Sequence, residues 1–353
     1  MNKILMSGNE AIGEGAIRAG CGFYAGYPIT PQNELTAYMA KRMREEGRVF
    51  IQAESELAAI NMVFGAAATG VRAMTSSSSP GISLKQEGIS YLAGCELPSV
   101  IINIMRGGPG LGNIAPAQGD YFQAVKGGGH GDYHSIVLAP STVQEAMDLT
   151  ISAFDSADKY RTPVMILGDG MLGQMMEPVT IKCQMSNVKC QIEKPWALTG
   201  AKNRKPNIIR SLFLKEGALE ELNLKLQAKY KKISQAEKRF EAREVKDAQI
   251  ILVAYGTMAR VCKAAAQQLR KAGIKSGVIR PISLWPFPTE IFVAAAKRCK
   301  KFLVVEMSSG QMVEDVRLAL NGRAAVDFYG RMGGGIPDEE TIIKRAKEFL
   351  KRK

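Results

Sequence analysis

The stretch "PSVIINIMRGGPGLGN" (Pro98–Asn113) carries the clearest fold signal in this chain. Its first half is apolar at nearly every position, which is typical of a strand that is buried on both faces of a parallel sheet. Its second half changes at once into a glycine-rich loop. Because open α/β sheets bind ligands in the loops at the carboxyl ends of their strands, we expect a central parallel strand that leads directly into a functional loop.

Short apolar runs alternate with helical patterns on both sides of this stretch. "GFYAG" (Gly22–Gly26) and "TPVMILGDG" (Thr162–Gly170) are typical of strands, and the run after Ser141 is an amphipathic helix for which this serine is the predicted N-cap. Alternating strands and helices of this kind indicate an α/β fold with a parallel sheet that is covered on both faces. We assign residues 1–180 to this first domain.

The alternation breaks after residue 180. Residues 181–247 are charged and partly helical, and we interpret them as a connector or excursion between two domains. A second series of strands and helices starts with "AQIILVAYG" (Ala248–Gly256) and includes "KFLVVEM" (Lys301–Met307). Residues 248–353 are therefore predicted to form a second, smaller α/β domain of roughly a hundred residues.

The composition is that of an ordinary globular protein. The chain has 353 residues, of which 46% are hydrophobic and 23% are charged, and it contains no apolar run of the roughly 20 residues that span a bilayer. The N-terminus lacks the apolar region and the cleavage site of a signal peptide. We therefore expect a cytoplasmic protein that does not enter a membrane.

The cysteines are scattered and form no C-x-x-C pair. This spacing argues against a zinc ribbon and against an iron–sulfur cluster that is held by this chain alone, and it favours reduced thiols. The six cysteines are Cys21, Cys95, Cys183, Cys190, Cys262 and Cys299.

The net charge of +13 is concentrated in one segment. Residues 202–246 contain 13 Lys/Arg and 6 Asp/Glu, so this segment contributes +7. A docking surface for an acidic protein or a phosphate-bearing ligand explains such a segment, and so does a solvated helical face; the sequence leaves the choice open. The basic residues are not interleaved with aromatic ones, so we expect no nucleic-acid partner.

Two glutamates stand at the start of one predicted helix, in "QAESELAAI" (Gln52–Ile60). Ser55 is the predicted N-cap, and apolar residues follow Glu56 at intervals of three, four, seven and eleven positions. Glu56 therefore lies on the buried stripe, whereas Glu54 precedes the helix. Burial without a compensating partner favours a protonated carboxyl group, which suits a group that shares a proton, but a glutamate in a capping network explains the same pattern.

The stretch "AGYPITPQNEL" (Ala25–Leu35) predicts a rigid turn between a strand and a helix. Pro28 and Pro31 bracket Thr30 and place its hydroxyl group near the start of the helix. On its own, Thr30 would be an N-cap. Together with Arg106, which follows another predicted strand, it would form a site for a small anion.

Two further motifs carry weaker signals. His130 and His134 have H-x-x-x-H spacing, but the glycines around them argue against a helical metal site. We therefore predict no metal there and keep His130 as a candidate ligand-site residue without an assigned role. Asp169, in a Gly-Asp-Gly motif, is predicted to lie in a turn after a strand.

Six short motifs follow one another along the chain in a recognisable order. In this order they resemble the α subunit of the 2-oxoacid:ferredoxin oxidoreductase family, and most of all its branched-chain branch, which acts on 2-oxoisovalerate (3-methyl-2-oxobutanoate). The resemblance covers nearly the whole chain, least clearly between residues 181 and 245. The motifs are GYPITP, QAESELAAI, RGGPGLGN, QGD (118–120), RPISLWPFP (280–288) and EMSSGQM (306–312).

The resemblance implies a thiamine diphosphate-binding domain of the pyrimidine type, followed by a domain like the C-terminal domain of transketolase. It implies that thiamine diphosphate is shared with a β subunit that carries the Mg²⁺-binding diphosphate domain. Iron–sulfur clusters would lie on small γ and ferredoxin-like subunits. The implied reaction is oxidative decarboxylation of a 2-oxoacid, expected to be branched-chain, to an acyl-CoA and CO₂, with coenzyme A as co-substrate and ferredoxin as electron acceptor.

The family's site residues carry over by position. Glu56 matches the glutamate that hydrogen-bonds the pyrimidine nitrogen N1′ of the cofactor, and Thr30 and Arg106 match a substrate-contacting threonine and arginine. His130 resembles part of a His-Gly-Asp stretch in related subunits. Further cofactor contacts are expected from four loop residues: Pro28, Ile29, Gly107 and Gly108.

One loop departs from a related branch. "GGPGLGN" stands where the 2-oxoglutarate branch commonly has Gly-Gly-Pro-Ser-Thr-Gly, and a less polar loop favours an aliphatic substrate. Two other functions stay open at this level. The chain could be the pyrimidine-binding subunit of another thiamine-dependent 2-oxoacid complex, such as one that uses lipoamide, which the co-purifying acceptor protein would reveal. It could also be a non-catalytic α/β scaffold subunit, against which the joint presence of Thr30, Glu56 and Arg106 argues.

Overall fold

The computed structural model describes residues 3–181 and 193–352, so the expectation for Cys183 and Cys190 lies outside the described residues. The strands are β1 (Lys3–Ser7), β2 (Phe23–Gly26), β3 (Val49–Gln52), β4 (Ala73–Ser77), β5 (Ser99–Met105), β6 (Ile136–Leu138), β7 (Pro163–Asp169), β8 (Met176–Thr180), β9 (Phe240–Arg243), β10 (Ile250–Val253), β11 (Ser276–Pro281), β12 (Ser283–Trp285), β13 (Lys301–Glu306) and β14 (Ala325–Gly330). The helices are α1 (Gly8–Arg18), α2 (Asn33–Glu45), α3 (Glu56–Ala68), α4 (Ser79–Gly94), α5 (Tyr121–Val125), α6 (Val143–Tyr160), α7 (Gly170–Gln174), α8 (Ala218–Ala236), α9 (Met258–Lys271), α10 (Thr289–Ala296), α11 (Met312–Leu320) and α12 (Glu339–Lys351).

The first sheet has the strand order β12-β6-β7-β5-β4-β2-β3. All of its pairs are parallel except that of β12, which runs antiparallel to β6. Strand β5, which begins the glycine-rich loop, lies at the centre of this sheet and all seven of its residues are buried. The predicted parallel α/β fold is confirmed, and its central strand is the one that the continuous apolar run indicated.

The second sheet has the order β14-β13-β10-β11-β9, with β9 antiparallel to β11 and the other pairs parallel. Two strands cross the predicted domain limits. Strand β9 comes from the predicted connector and joins the second sheet, whereas β12 comes from the predicted second domain and joins the first sheet. A separate antiparallel ribbon pairs β1 with β8. The two sheets are therefore tied together by exchanged strands.

Helix α6 begins one residue later than predicted. Thr142 is its N-cap, because the Thr142 side chain accepts a hydrogen bond from the N–H of Glu145 at 3.1 Å. The prediction that Ser141 caps this helix is wrong. The N–H and hydroxyl of Ser141 instead donate to the carboxylate of Glu145, at 2.9 and 3.0 Å, and that carboxylate also pairs with Arg280 at 2.6 Å. A tertiary ion pair thus decides which of two adjacent hydroxyl groups caps the helix.

Two side chains of the first domain hold the second domain in place. Asp169 lies at the end of β7, and its carboxylate accepts two N–H groups at the start of α7, both at 3.0 Å, and the hydroxyl of Thr257 at 2.6 Å. Gln118 donates to the carbonyl of Tyr255 at 3.1 Å and accepts from the N–H of Met307 at 3.0 Å. Asp169 is the last residue of β7 and the N-cap of α7, so the prediction that it lies in a turn after the strand is wrong by one residue, and both of its oxygens accept hydrogen bonds.

The cysteines within residues 3–181 and 193–352 are free thiols with buried side chains. Burial raises the pKa of the Cys21 thiol to about 12, so this group stays protonated. The four are Cys21, Cys95, Cys262 and Cys299. In the same residues, no helix is both long enough and apolar enough to cross a membrane.

The basic connector is neutralised only in part. On α8, Lys225 and Lys229 both pair with Glu96, the second at 3.3 Å. Five basic residues of the preceding segment are exposed and make no ion pair with any described residue: Lys202, Arg204, Lys205, Arg210 and Lys215. The structure therefore leaves both a docking surface and a solvated face open for the connector.

Candidate active site

The carboxyl ends of the neighbouring strands β3, β2, β4 and β5 form one edge of the first sheet. Because these strands are parallel, the residues that follow them are brought to the same edge. The predicted catalytic and substrate residues therefore lie on one side of the domain, together with a serine run. These residues are Thr30, Glu56, Ser76–Ser79 and Arg106.

Glu56 is the first residue of α3, and its environment separates it from Glu54. The side chain of Ser55 accepts the N–H of Ala58 at 3.2 Å and so caps the helix, as predicted. Glu56 is only 6% exposed, whereas Glu54 is exposed to solvent. Among the described residues, the carboxylate of Glu56 accepts one hydrogen bond, a long one of 3.4 Å from the hydroxyl of Ser77. Glu56 is thus buried with most of its hydrogen-bonding capacity unused.

A glycine of α4 makes room for this carboxylate. A Cβ atom on Gly81 would lie 2.0 Å from Oγ of Ser77 and 2.4 Å from Oε1 of Glu56, which is closer than real Cβ contacts allow. The first turn of α4 can therefore approach Glu56 only because position 81 has no side chain. This close approach holds the carboxylate against α4 without supplying it with a further hydrogen bond.

Arg106 follows β5 and presents an unbalanced positive charge. Its guanidinium donates to the carbonyl of Thr30 at 2.9 Å and to the carbonyl of Leu111 at 3.0 Å, and the side chain is 7% exposed. Its Nε has no partner, and no carboxylate pairs with it among the described residues. A buried guanidinium that has carbonyl partners only is suited to bind an anion. The structure brings Thr30 and Arg106 together, although Thr30 uses its carbonyl and not its hydroxyl in this contact.

The serine run Ser76–Ser79 was missed by the sequence analysis. Ser77 donates to Glu56, and the hydroxyl of Ser79 accepts the N–H of Arg106 at 3.1 Å. The run therefore links the predicted proton-handling residue to the predicted anion site. Four consecutive hydroxyl side chains at the end of a predicted strand were the signal that could have revealed it.

The predicted cofactor-contacting residues lie in two loops at the same edge. Gly107 is fixed by two backbone hydrogen bonds, from its N–H to the carbonyl of Ala115 at 2.9 Å and from the N–H of Asn113 to its carbonyl at 3.0 Å. The loop after β5 is thus a closed turn. The four residues at this edge, for which cofactor contact stays a prediction, are Pro28, Ile29, Gly107 and Gly108.

His130 lies apart from this cluster. Its Nδ1 is 3.4 Å from the hydroxyl of Ser90, and its ring stands edge-on to Tyr91 with 6.0 Å between the ring centres. Ser90 is eleven residues further along α4 than Ser79, which corresponds to roughly 16 Å along a helix. We therefore leave His130 out of the site. Among the described residues, no group of three His, Cys, Asp or Glu side chains is placed to hold a metal ion.

Lys85 of α4 is a second residue that the sequence analysis missed. It is fully buried, and its Nζ donates to Oγ1 of Thr75 at 2.7 Å and to the carbonyl of Ser76 at 2.9 Å. Burial lowers the pKa of its amino group to about 7, and the negative charge of Glu56 opposes this shift. A buried amino group thus lies within electrostatic reach of the buried carboxylate.

The residues at this edge fit the pyrimidine half of thiamine diphosphate but not its diphosphate half. Glu56 is buried and has an oxygen free for a ring nitrogen, which is the interaction that the resemblance implies. Asp169 of the Gly-Asp-Gly motif is not presented to a metal ion, because its side chain is buried and both of its oxygens accept hydrogen bonds from α7 or Thr257. Glu56 would hold the pyrimidine ring, and the Mg²⁺-bound diphosphate needs residues other than Asp169.

Two family models match successive parts of the chain. The pyruvate flavodoxin/ferredoxin oxidoreductase thiamine diphosphate-binding family matches residues 14–245. The pyruvate:ferredoxin oxidoreductase core domain II family matches residues 248–342. Together they span both sheets.

Curated proteins match over nearly the full length. Ketoisovalerate oxidoreductase subunit VorB from Methanothermobacter marburgensis is 51% identical to this chain, over 98% of this chain and 97% of that protein. 2-Oxoglutarate synthase subunit KorA from Archaeoglobus fulgidus is 38% identical, over 94% of this chain and 96% of that protein. The chain is thus more similar to the first of these two subunits than to the second.

Solved structures share the fold. The 2-oxoglutarate:ferredoxin oxidoreductase from Magnetococcus marinus, solved with 2-oxoglutarate, coenzyme A and succinyl-CoA bound, matches with a TM-score of 0.88 and 28% identity, over 99% of this chain and 66% of that chain. A split gene transketolase, an inactive beta4 tetramer, matches with a TM-score of 0.61 and 15% identity, over 98% of both chains. The second likeness concerns the fold alone, and it confirms the transketolase-like architecture.

Proposed function

This chain belongs to the 2-oxoacid:ferredoxin oxidoreductase family, and we propose that it is the α subunit of an enzyme that decarboxylates a branched-chain 2-oxoacid to an acyl-CoA and CO₂, with ferredoxin as electron acceptor. The observation that carries the proposal is the buried Glu56, with its hydrogen-bonding capacity largely unused, at the same sheet edge as the unbalanced cation Arg106. Thiamine diphosphate, when bound, would supply the carbon nucleophile for the 2-oxo group.

Glu56 would hold and move a proton. Its carboxyl group would donate to, or receive a proton from, the pyrimidine nitrogen N1′, and this exchange sets which tautomer the pyrimidine adopts. Burial at the start of α3 excludes water from the exchange. Because Gly81 has no side chain, α4 can pack closely against the Glu56 carboxylate without displacing it. This supports a catalytic role for Glu56 rather than for Glu54.

Arg106 and Thr30 would bind the carboxylate of the 2-oxoacid. The free Nε of Arg106 points to an additional charge-assisted hydrogen bond, and the carbonyl of Thr30 fixes the guanidinium. Thr30 itself is only partly buried, so its hydroxyl is accessible to a substrate. Orientation of the carboxylate by this pair would place the 2-oxo carbon next to the cofactor.

A branched-chain aliphatic substrate is favoured by two observations. The loop after Arg106 carries Leu111, which is 81% exposed beside the site, where a polar loop would suit a second carboxylate better. The 51% identity to a ketoisovalerate oxidoreductase subunit, against 38% to a 2-oxoglutarate synthase subunit, points the same way. 2-Oxoisovalerate is therefore the proposed substrate.

Partner subunits would complete the enzyme. We propose that a β subunit supplies the Mg²⁺-binding diphosphate domain, since both oxygens of Asp169 accept hydrogen bonds within this chain, and that small γ and ferredoxin-like subunits supply iron–sulfur clusters. Coenzyme A would be the co-substrate, as it is present in the related structure, and the assembly would be cytoplasmic. Three exposed apolar side chains beside the site would contact a partner: Leu111, Ile114 and Met332.

Reconstitution tests this proposal. The chain is co-expressed with its β and cluster-bearing subunits, and CoA-dependent reduction of a viologen dye is measured with 2-oxoisovalerate, pyruvate and 2-oxoglutarate. We expect the highest kcat/KM with 2-oxoisovalerate. A preference for 2-oxoglutarate would contradict the substrate class, and acyl transfer to lipoamide without dye reduction would contradict the electron acceptor.

A pair of variants tests the catalytic residue in the same assay. Glu56→Gln is expected to lower kcat by about 10²- to 10⁴-fold, the usual contribution of a positioned proton-transfer group. Glu54→Gln is the matched control two residues away and should retain kcat within about threefold, because exposed substitutions have small effects. Loss of activity in Glu54→Gln with retention in Glu56→Gln would show that the assignment is wrong.

A further inference from the structure

Lys85 is buried without a carboxylate partner at ion-pair distance among the described residues. Arg280, which is equally buried, pairs with Glu145 at 2.6 Å and with Glu241 at 3.1 Å. A buried ammonium without a counter-charge is costly, so such a lysine persists only where its surroundings compensate for it. The position of Lys85 therefore needs an explanation beyond packing.

The hydrogen bonds of Lys85 satisfy its neutral form and leave its charged form in need of a counter-charge. A neutral amine has two N–H donors and a lone pair, whereas an ammonium has three donors. The hydroxyl of Thr75 and the carbonyl of Ser76 accept two donors, at 2.7 and 2.9 Å. This set satisfies the neutral form, and the charged form is left with one N–H and one unit of charge to be balanced by its neighbours.

Lys85 and Glu56 meet across one strand end. Thr75 and Ser76, which hold Lys85, directly precede Ser77, which donates to Glu56. The carboxylate of Glu56 is also the charge that opposes the loss of the proton from Lys85. The two groups are thus attached to consecutive residues of β4 and act on each other electrostatically.

Two glycines bring the helices of these groups together. Gly81 and Gly88 lie on the same face of α4 as Lys85, four positions before it and three after it. A Cβ atom on Gly81 would clash with Glu56, and one on Gly88 would lie 2.6 Å from the side chain of Ile60 in α3. The face of α4 that carries Lys85 is therefore the face that packs against α3.

We propose that Lys85 is a positioning residue that balances the charge of Glu56 during proton exchange with the cofactor. With its proton on the pyrimidine nitrogen, Glu56 would be a buried carboxylate, and the ammonium form of Lys85 would lower the cost of that charge. Lys85 itself neither gives nor takes the exchanged proton. This inference rests on the proposed role of Glu56.

Lys85→Met tests the inference in the assembled enzyme, because methionine keeps the length of the side chain without its charge. We expect kcat to fall by about tenfold or more, since a lone buried carboxylate is disfavoured. The dissociation constant of thiamine diphosphate, measured by calorimetry without substrate, should stay within about threefold, because the hydrogen bond between Glu56 and the ring nitrogen does not involve Lys85. A purely structural role would instead weaken cofactor binding together with kcat.

A readout without turnover comes from a double-mutant cycle on the cofactor-free complex. Glu56→Gln and Lys85→Met each leave one buried group without its counterpart, whereas the double variant has two neutral side chains. We expect the changes in melting temperature to be non-additive, so that Lys85→Met has a different effect in the unmodified complex and in the Glu56→Gln variant. Gln86→Met, on the same helix but facing Tyr133, is the control and should show no coupling to Glu56→Gln.

Two results would overturn the inference. One is a kcat of Lys85→Met within about threefold of the unmodified enzyme, an effect no larger than that of a typical surface change. The other is additive changes in melting temperature in the cycle. Failure of the proposed function gives a different pattern. If Glu56→Gln kept its activity, the catalytic role of Glu56 would fail, whereas the coupling of melting temperatures would still report on the pair.

Discussion

Each domain of this chain buries a glutamate at the carboxyl edge of its parallel sheet, and the two glutamates have different surroundings. Glu306 ends β13, is fully buried, and accepts the hydroxyl of Ser308 at 2.8 Å and three N–H groups around the start of α11 at 2.9 to 3.1 Å. Glu56 begins α3, is 6% exposed, and among the described residues accepts only the hydroxyl of Ser77 at 3.4 Å.

Burial alone therefore does not mark a functional carboxylate. Burial raises the pKa of Glu306, and its four hydrogen bonds oppose that shift, so the group is held as part of a helix start. Both of its oxygens accept hydrogen bonds from the chain itself. Glu56 has lone pairs to spare in an equally buried place, and unused hydrogen-bonding capacity of this kind needs a partner from outside the chain.

The largest effect that separates the two glutamates is expected in Glu306→Gln. The amide would turn an N–H group toward N–H donors and leave one or more of them unpaired, at a cost of roughly 3–5 kcal/mol in the free energy of unfolding. The melting temperature should fall by about 10 °C, while kcat per folded enzyme changes by less than about threefold. Calorimetry and the dye assay on the same preparation measure both.

The mirror-image variant completes this test. Glu56→Gln should leave the melting temperature within about 3 °C of the unmodified enzyme, because few hydrogen bonds are lost. If Glu56→Gln destabilised the complex as much as Glu306→Gln does, the proposed difference between the two glutamates would be wrong, since Glu56 would then be a second structural cap.

The next effect concerns pH and the partner of Glu56. Burial lowers the pKa of Lys85 from 10.5 to about 7, so between these values the unfolded chain binds a proton that the folded chain does not. The free energy of unfolding therefore rises with pH between about 7 and 10.5, and it falls as the pH is lowered toward 7. Between pH 7 and pH 9 this change amounts to about 2 kcal/mol.

Melting curves of the cofactor-free complex between pH 6 and pH 9 check this sign. Lys85→Met should be more stable than the unmodified complex below pH 7, and the difference should shrink toward pH 9. Parallel pH profiles for the two proteins would show that Lys85 keeps an ordinary pKa in the folded chain. Gln86→Met should follow the unmodified profile.

Arg106→Met is expected to act on substrate binding. Loss of a charge-assisted hydrogen bond to the substrate carboxylate corresponds to about 2 kcal/mol, or a rise of roughly 30-fold in KM for the 2-oxoacid. Arg106→Lys should recover part of this loss. Arg345→Met, on the surface helix α12, is the control and should leave KM unchanged. A larger change in the KM for coenzyme A than for the 2-oxoacid would assign Arg106 to the other substrate.

Sequence patterns over short windows correctly predicted the strands and helices whose formation depends on residues close together in the chain. The two-sided apolar run gave the central strand β5, and the spacing after Ser55 placed Glu56 on the buried face of α3. Strand β12 has no such signature, because its three residues join the first sheet through antiparallel pairing with β6, nearly 150 residues away. Pairing of this kind depends on tertiary packing that no short window of sequence encodes.

Lys85 was predictable in principle. It lies three residues after Ile82 and four before Ile89, so the helical phase that placed Glu56 inside would have placed Lys85 inside as well. A lysine in a helix is normally expected to be exposed to solvent. That expectation outweighed the helical spacing, which places Lys85 on the buried face. The hydrogen-bond partners of Lys85 on β4 could not be read from sequence, because they depend on the close contact of α3 and α4.

The smallest effect is expected in Ser77→Ala, which removes the hydrogen bond that Glu56 receives. At 3.4 Å this bond is long, so its loss should cost about 0.5 kcal/mol and lower kcat by about two- to threefold. Ser308→Ala is the matched variant at Glu306, where the bond of 2.8 Å is short, and it should lower the melting temperature without affecting kcat. A loss of about 100-fold in Ser77→Ala would mean that Glu56 is held in place as firmly as Glu306, because only a strong positioning bond supports so large an effect. The ability of Glu56 to bind a ligand would then depend on the charge of Lys85 and not on the unused hydrogen-bonding capacity of Glu56.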